Sequence, residues 1–324
     1  MQRRTWIIAV AGAAAVCAAG PAARADTYPS KSVRIVVPYA TGGGSDILAR
    51  QLGARLQQAW GQGVVVDNKA GASGNIGSQE VVRAPPDGYT LLLQNSTMVT
   101  HLGVTGKLPY DPEKDLTPIM LLGITPIALV AHPSAGIANV QELVAAAKAK
   151  SGALSYGSCG IGTPQHFVME LVKQKTGVAA AHAGYKGCAP ALTDVLGGHV
   201  PLAIVSANLV APYAKDGRLR VVGVSTAHRY RQLPDAPTFE EQGLKPFDFS
   251  IWYALMGPAK LPPAIVAKLS ADVEKIFADP AVQSNLSNAG VEPYKGSAQD
   301  LAKLIKADAV RYVELAKAAD IKAE

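Results

Sequence analysis

Charged side chains are sparse in this chain and aromatic ones sparser, at 17% and 6% of 324 residues. No run of five or more basic residues occurs, and the formal balance of +6 falls to +3 once Arg3, Arg4 and Arg24 of an N-terminal export segment are set aside. So weak a field carries no footprint for nucleic acid. No apolar run reaches the roughly 20 residues needed to span a bilayer, and neither an internal repeat nor a low-complexity linker divides the chain. Apolar material is what abounds: 48% of residues are hydrophobic, enough for a large core and against global disorder. At roughly 150 residues per domain, the length predicts two domains.

The N-terminus reads as an export signal. Arg3 and Arg4 precede an apolar stretch over 6–19, and Ala23-Arg24-Ala25 puts small residues where a signal peptidase inspects them. Cleavage after Ala25, removing 1–25, and a soluble periplasmic product are therefore expected. Export removes Cys17 and leaves Cys159 and Cys188, an even pair in an oxidising compartment. A disulfide is the default expectation, closing a loop of about 30 residues. The competing reading is a pair of catalytic thiols.

Short β-branched or aliphatic runs, each followed by a turn of small residues and a helical pattern, place the chain in the α/β class with parallel βα units. The runs lie at 33–37, 64–66, 91–93, 127–131, 154–156, 202–205 and 219–224. Helix starts are legible as well. Ser45 follows Gly42-Gly43-Gly44 as a cap, Thr163 precedes Pro164, and Asn139 with Glu142 and Thr238 with Glu241 have the spacing of capping boxes. Further helices are expected at 263–278 and 300–319. Two domains without a linker suggest a shared pair of crossing strands at 124–127 and 250–253. Residues 26–125 plus 251–324 then form domain I, and 126–250 form domain II.

Catalytic and nucleotide motifs fail. No Gly-Lys-Ser/Thr follows the glycine turn, and Ile47 stands where a dinucleotide fold has its third glycine. Asn75 breaks a G-x-S-x-G around Ser73, and the histidines show no metal spacing, so neither metal nor cofactor is expected. His166, in the first turn after Thr163-Pro164, reads as a packing or hydrogen-bonding residue. What remains are glycine-rich strand-to-helix turns in both halves, in Val36 to Asp46, Asn68 to Gly77, Tyr156 to Pro164 and Tyr185 to Pro190, with a polar turn at Asn95 to Thr97. Glycines let a backbone approach a ligand closely, and helix starts favour an anion. Asp46 reads as a support that ties down the first turn rather than a ligand contact.

Together these segments resemble the substrate-binding proteins of tripartite tricarboxylate transporters, the Bug-type receptors. The resemblance rests on P-Y-A-x-G-G-G-x-D at 38–46, A-G-A-S-G-N-I-G at 70–77 and P-D-G-Y-T-L-L-L at 86–93. It continues through Y-G-S-C-G-x-G-T-P-Q-H at 156–166, Y-K-G-C-A-P-A-L-T-D at 185–194 and P-T-F-E-E-Q-G at 237–243. It implies a two-lobed periplasmic binding protein, type II-like, with two doubly wound domains joined by crossing strands. It also implies a receptor, not an enzyme, that closes on a small carboxylate and delivers it to the membrane permease. The ligand residues it implies are Tyr39, Thr41, Gly42 and Gly43, then Ser73 and Asn75, then Asn95, Ser96 and Thr97. In the other lobe they are Ser158, Gly162, Thr163, His166 and Tyr185. Ser206-Ala207-Asn208, which replaces a more typical acidic turn, adds Ser206 where specificity is set. The receptor is expected to be a monomer. A sensor that presents the same ligand to a membrane kinase would use the same site, and a racemase-like enzyme with Cys159 and Cys188 as opposed acid and base is the alternative from another class.

Overall fold

The computed structural model describes residues 28–149 and 154–322, so the expected export segment and its cleavage point lie outside the described residues. The first half runs β1 (Val33–Val37), α1 (Gly44–Trp60), β2 (Val64–Asn68), a 3₁₀ turn (Ala72–Gly74), α2 (Asn75–Val82), β3 (Thr90–Asn95) and α3 (Thr97–Thr105). The sixteen-residue β4 (Leu116–Ala131) then leads to α4 (Val140–Ala149), β5 (Ser155–Ser158), α5 (Pro164–Thr176), β6 (Ala181–Gly184) and α6 (Cys188–Leu196). Next come β7 (Leu202–Ser206), α7 (Ala207–Lys215), β8 (Arg220–Val224) and β9 (Ser250–Pro258). The chain finishes with α8 (Pro263–Phe277), α9 (Pro280–Asn288), β10 (Glu292–Gly296) and α10 (Ala298–Ala318).

Among the described residues ten strands join one curled sheet in the order β2-β1-β3-β9-β4-β7-β5-β6, with β8 and β10 also on β4. β4 is its spine. Its first part, Leu116 to Pro126, pairs with β9 and, over Leu121 to Ile124, with β10; its last part, Ile127 to Ala131, pairs with β7 and β8. Pro126, which has no N–H to give to a ladder, sits where the partners change. The expected parallel βα units are present, and the crossing strands between them pair antiparallel. β1, β2 and β3 are parallel, as are β5, β6 and β7, but β4 and β9 run antiparallel to each other and to their other neighbours. A strand that comes back beside its partner without a covering helix has no need of the parallel direction.

Local sequence explains most helices. In α1 the buried Leu48, Leu52 and Leu56 recur at four-residue spacing, and Gly61 ends the helix in the left-handed region at φ 65°. Its cap is Gly43, not Ser45: Ser45 lies inside the helix and receives Asn95 Nδ2 at 3.0 Å. Thr163 does cap α5, its hydroxyl accepting the His166 N–H, with Pro164 at the first helical position and Gly177 closing the far end. α10 carries a full capping box of Ser297 and Asp300 and buries Leu301, Ile305, Asp308, Tyr312 and Ala316. α10 packs along α3 and β4 and reaches α5, where Tyr312 meets Phe167 edge-on and its backbone lies against Gly103. Each fully buried aliphatic side chain there is worth roughly 1.5–3 kcal/mol. One hydrophobic cluster thereby runs from β1 across to Phe167, while a smaller one lies under α6, α7 and β8.

Candidate ligand site between opposed strand ends

Register alone brings two sets of loops together. Asn95, the last residue of β3, pairs with Tyr253, which pairs with Gly123 of β4; Ser206, the last residue of β7, pairs with Ile127. β3 runs along β4 and β7 runs against it, so the two strand ends face each other across four residues of the spine, about 13 Å at ~3.3 Å per residue. β1 and β2 end beside β3, and β5 and β6 beside β7. Beyond these ends, most of them after a short turn, begin α1, α2 and α3 on one side and α5, α6 and α7 on the other. Each start leaves backbone N–H groups without a helical partner and concentrates partial positive charge.

In the first half, the glycine turn is tied from below. Asp46 Oδ2 accepts the Gly42 N–H at 2.9 Å, while Oδ1 meets Arg50 at 2.9 Å. Burial opposes ionisation of Asp46, but bonds from Arg50, the Gly42 N–H and Asn68 outweigh it and hold its carboxyl below the usual carboxylate range. Gly44 has to be glycine, since a Cβ there would lie 2.5 Å from the Tyr253 hydroxyl. Tyr39 donates to Gln94, Gln94 donates to Ser78 at 2.8 Å, and Ser78 donates to the Gly74 carbonyl at 2.8 Å, which joins the first turn to the second. Burial pushes the Tyr39 phenol well above its ordinary pKa, so it stays a neutral donor. Ser73 occupies the left-handed region at φ 54° with its side chain exposed, as are Thr41, Gly42 and Gly43. Asn95 Oδ1 accepts the Thr97 N–H at 2.8 Å, and the fully buried Ser96 hydroxyl has no hydrogen-bond partner among the described residues.

In the second half, Cys159 and Cys188 form a disulfide that joins the turns before α5 and α6. Gln165 ties in a third helix start, its amide reaching Ser206 Oγ at 3.1 Å and Cys188 Sγ at 3.6 Å. Pro190 lies inside the first turn of α6, which begins at Cys188, rather than at its first position. Thr163 Oγ1 also donates to the Gly160 carbonyl at 2.8 Å, and Tyr185 donates to Asp194 at 2.6 Å. His166 is buried and its Nδ1 accepts the Gly162 N–H at 3.2 Å, so it supports the loop. Burial, with help from His182 and Lys173, pushes its pKa down to about 3.

A family model described as the tripartite tricarboxylate transporter family receptor matches residues 48–321. The chain belongs to this family. BugT of Bordetella pertussis is 34% identical over 293 residues, covering 89% of this chain and 90% of that one. Among solved structures, R. palustris Rpa4515 with adipate superposes with a TM-score of 0.79 at 33% identity, covering 91% of this chain and 99% of that one. MatC from Rhodopseudomonas palustris with bound malate gives 0.75 at 27% identity, covering 89% and 99%. The chain is thus a Bug-type receptor with the fold of periplasmic solute-binding proteins.

In this receptor the residues singled out from sequence lie at one of the two facing strand ends, in the turn beyond it or in the first turn of the helix that follows. Several side chains are already engaged, those of Ser158, Thr163, His166, Tyr185 and Asp46 among them, and shape the turns rather than point outward. Sequence reasoning missed Gln94, Gln165 and His182. A lone glutamine or histidine has no spacing signal, and only the sheet register shows what lies opposite it. Joined cysteines also remove the two thiols on which a racemase-like acid–base pair depends. Among the described residues no cluster of His, Cys, Asp or Glu is arranged to hold a metal, and no helix is long and apolar enough to cross a membrane.

Proposed function

We propose that this receptor works in the periplasm, captures a small carboxylate between two lobes and delivers it to the membrane permease of a tripartite tricarboxylate transporter. Residues 26–125 with 251–324 make one lobe and 126–250 the other, hinged where β4 and β9 cross. Tyr39, Thr41, Gly43, Ser73, Asn75, Asn95, Ser96 and Thr97 meet the ligand from the first lobe, together with the N–H groups at the starts of α1, α2 and α3. Gly42 and Asp46 set the shape of the first turn. From the second lobe come Gly162 and Ser206 with the N–H groups at the starts of α5, α6 and α7, on turns whose shape Ser158, Thr163, Tyr185 and His166 hold. The observation that carries this reading is the opposition of three helix starts to three others across the strand ends, a geometry that favours an anion without an ion pair. Adipate and malate in two relatives of the same fold support a carboxylate in particular.

Neutral donors suit a carrier, because capture then needs no buried ion pair that would slow release. Closure follows from contacts that exist only when both lobes touch the ligand. The test is a thermal-shift screen of the exported protein against adipate, malate, citrate, benzoate and phosphate. One carboxylate class is expected to raise the midpoint, adding ~2.7 kcal/mol at a hundredfold excess over its dissociation constant. Silence toward every carboxylate, or a response to phosphate alone, would overturn the reading.

A further inference from the structure

The turn from Ser158 to Thr163 is gripped from behind by two stacked imidazoles. His166 of α5 and His182 of β6 lie ring on ring, with centroids 3.9 Å apart and planes inclined by 18°, and Tyr156 of β5 stacks on His182 at 4.9 Å. Each imidazole takes one end of the turn: His182 Nε2 lies 2.6 Å from Ser158 Oγ, and His166 Nδ1 accepts the Gly162 N–H at 3.2 Å. The second bond assigns a tautomer, since an Nδ1 that accepts carries no proton and leaves it on Nε2, 3.7 Å from Glu170 Oε1. Ser158 is fully buried and passes the grip on, its Oγ accepting the Gly160 N–H at 3.1 Å. On the other side of the turn, the Val104 side chain of α3 stands so close to Gly162, which has φ +71°, that a Cβ would come within 2.8 Å of it. The turn is therefore clamped between α3 and the imidazole pair.

The charged and titratable groups facing the pair are few. Glu170 and Lys173 come from α5 itself, 2.8 Å apart, and the Tyr156 hydroxyl of β5 donates to Glu170 at 2.7 Å. α10 presents Tyr312 to the neighbouring Phe167, and α3 presents Val104 to Gly162. Two imidazolium rings at stacking distance in a buried site would repel each other, and a protonated Nδ1 on His166 would release Gly162.

We propose that His182 and His166 are positioning residues for ligand capture, holding the Ser158–Thr163 turn in its receiving shape as a neutral stacked pair. The proposal rests on the carboxylate reading above and gives His182 a role that sequence reasoning did not. His182→Phe keeps a stacking ring and deletes the nitrogen that meets Ser158, whereas His182→Gln restores a hydrogen-bonding atom. With adipate as probe, His182→Phe is expected to raise the dissociation constant about fivefold, the worth of one buried hydrogen bond. It is also expected to speed amide exchange at Gly160 while leaving α1 unchanged, and His182→Gln is expected to recover most of the affinity. Nitrogen chemical shifts at neutral pH are expected to find His166 Nδ1 unprotonated. Faster exchange with unaltered adipate affinity would overturn positioning, and unaltered exchange would overturn the grip itself. If the unsubstituted protein binds no carboxylate, the functional reading fails, and exchange at Gly160 in His182→Phe still decides whether the pair holds the turn.

Discussion

Asp46 organises the glycine turn through two bonds, one to the Gly42 N–H and one to Arg50. Asp46→Ala is expected to cost about 2 kcal/mol by removing the charge-assisted bonds to the Gly42 N–H and to Arg50, and to weaken carboxylate binding by roughly tenfold. Denaturant unfolding and calorimetry check the two numbers separately. His166 makes the complementary test through pH. Its pKa falls from 6.5 when unfolded to about 3 when folded, so the unfolded state binds the extra proton between those values. The stability it contributes is therefore full above pH 6.5 and is lost as the pH falls toward about 3. The thermal midpoint is expected to drop over that window, and His166→Asn, which keeps an acceptor for Gly162 without a titrating ring, is expected to flatten the drop. At this scale Asp46 was legible, because an acid in a first turn after glycines has an obvious N–H to bind. Gln94 and Gln165 were not, since their partners Tyr39 and Ser206 lie 55 and 41 residues away.

Helix starts depend on local chemistry, and the start of α5 behaves as sequence predicts, although α1 is capped at Gly43 rather than Ser45 and α6 begins before Pro190. Thr163→Ala is expected to cost about 1 kcal/mol of stability by removing the cap of α5, measured by urea unfolding. Replacing both Cys159 and Cys188 with Ala is expected to cost roughly 3 kcal/mol in the chain-entropy account, and to loosen amide exchange at the start of α6 before that of α1. Thr238 and Glu241 illustrate the opposite case. Their capping bonds form at 3.0 and 2.9 Å, yet only a turn follows, because Gly243 turns the chain left-handed at φ 92° before a second turn is complete. β6 and β10 escaped notice because Ala-His-Ala-Gly and Glu-Pro-Tyr-Lys-Gly hold no β-branched residue. They are strands because an existing edge accepts them.

Over the whole molecule, Trp252 and α10 bind the parts together. Trp252 Nε1 donates to Asp308 at 2.9 Å, Asp308 also takes Arg311, and burial still raises the Asp308 carboxyl above its ordinary range. Trp252→Phe is expected to cost about 1–3 kcal/mol by stripping a buried carboxylate of a donor, read by thermal unfolding without ligand. Small-angle scattering is expected to show a smaller radius of gyration when a bound carboxylate closes the lobes; an unchanged radius would argue against hinge closure. By itself the sequence determined the βα pattern, the glycine turns, the cap of α5 and the family, because each is written in neighbouring residues. Only the tertiary structure decided that β4 and β9 run antiparallel through the centre, that the ends of β3 and β7 face each other across four residues of β4, and that His182 stacks on His166. Those facts depend on which strands pair and in what register, and pairing is chosen by the burial of the whole sheet rather than by any one segment.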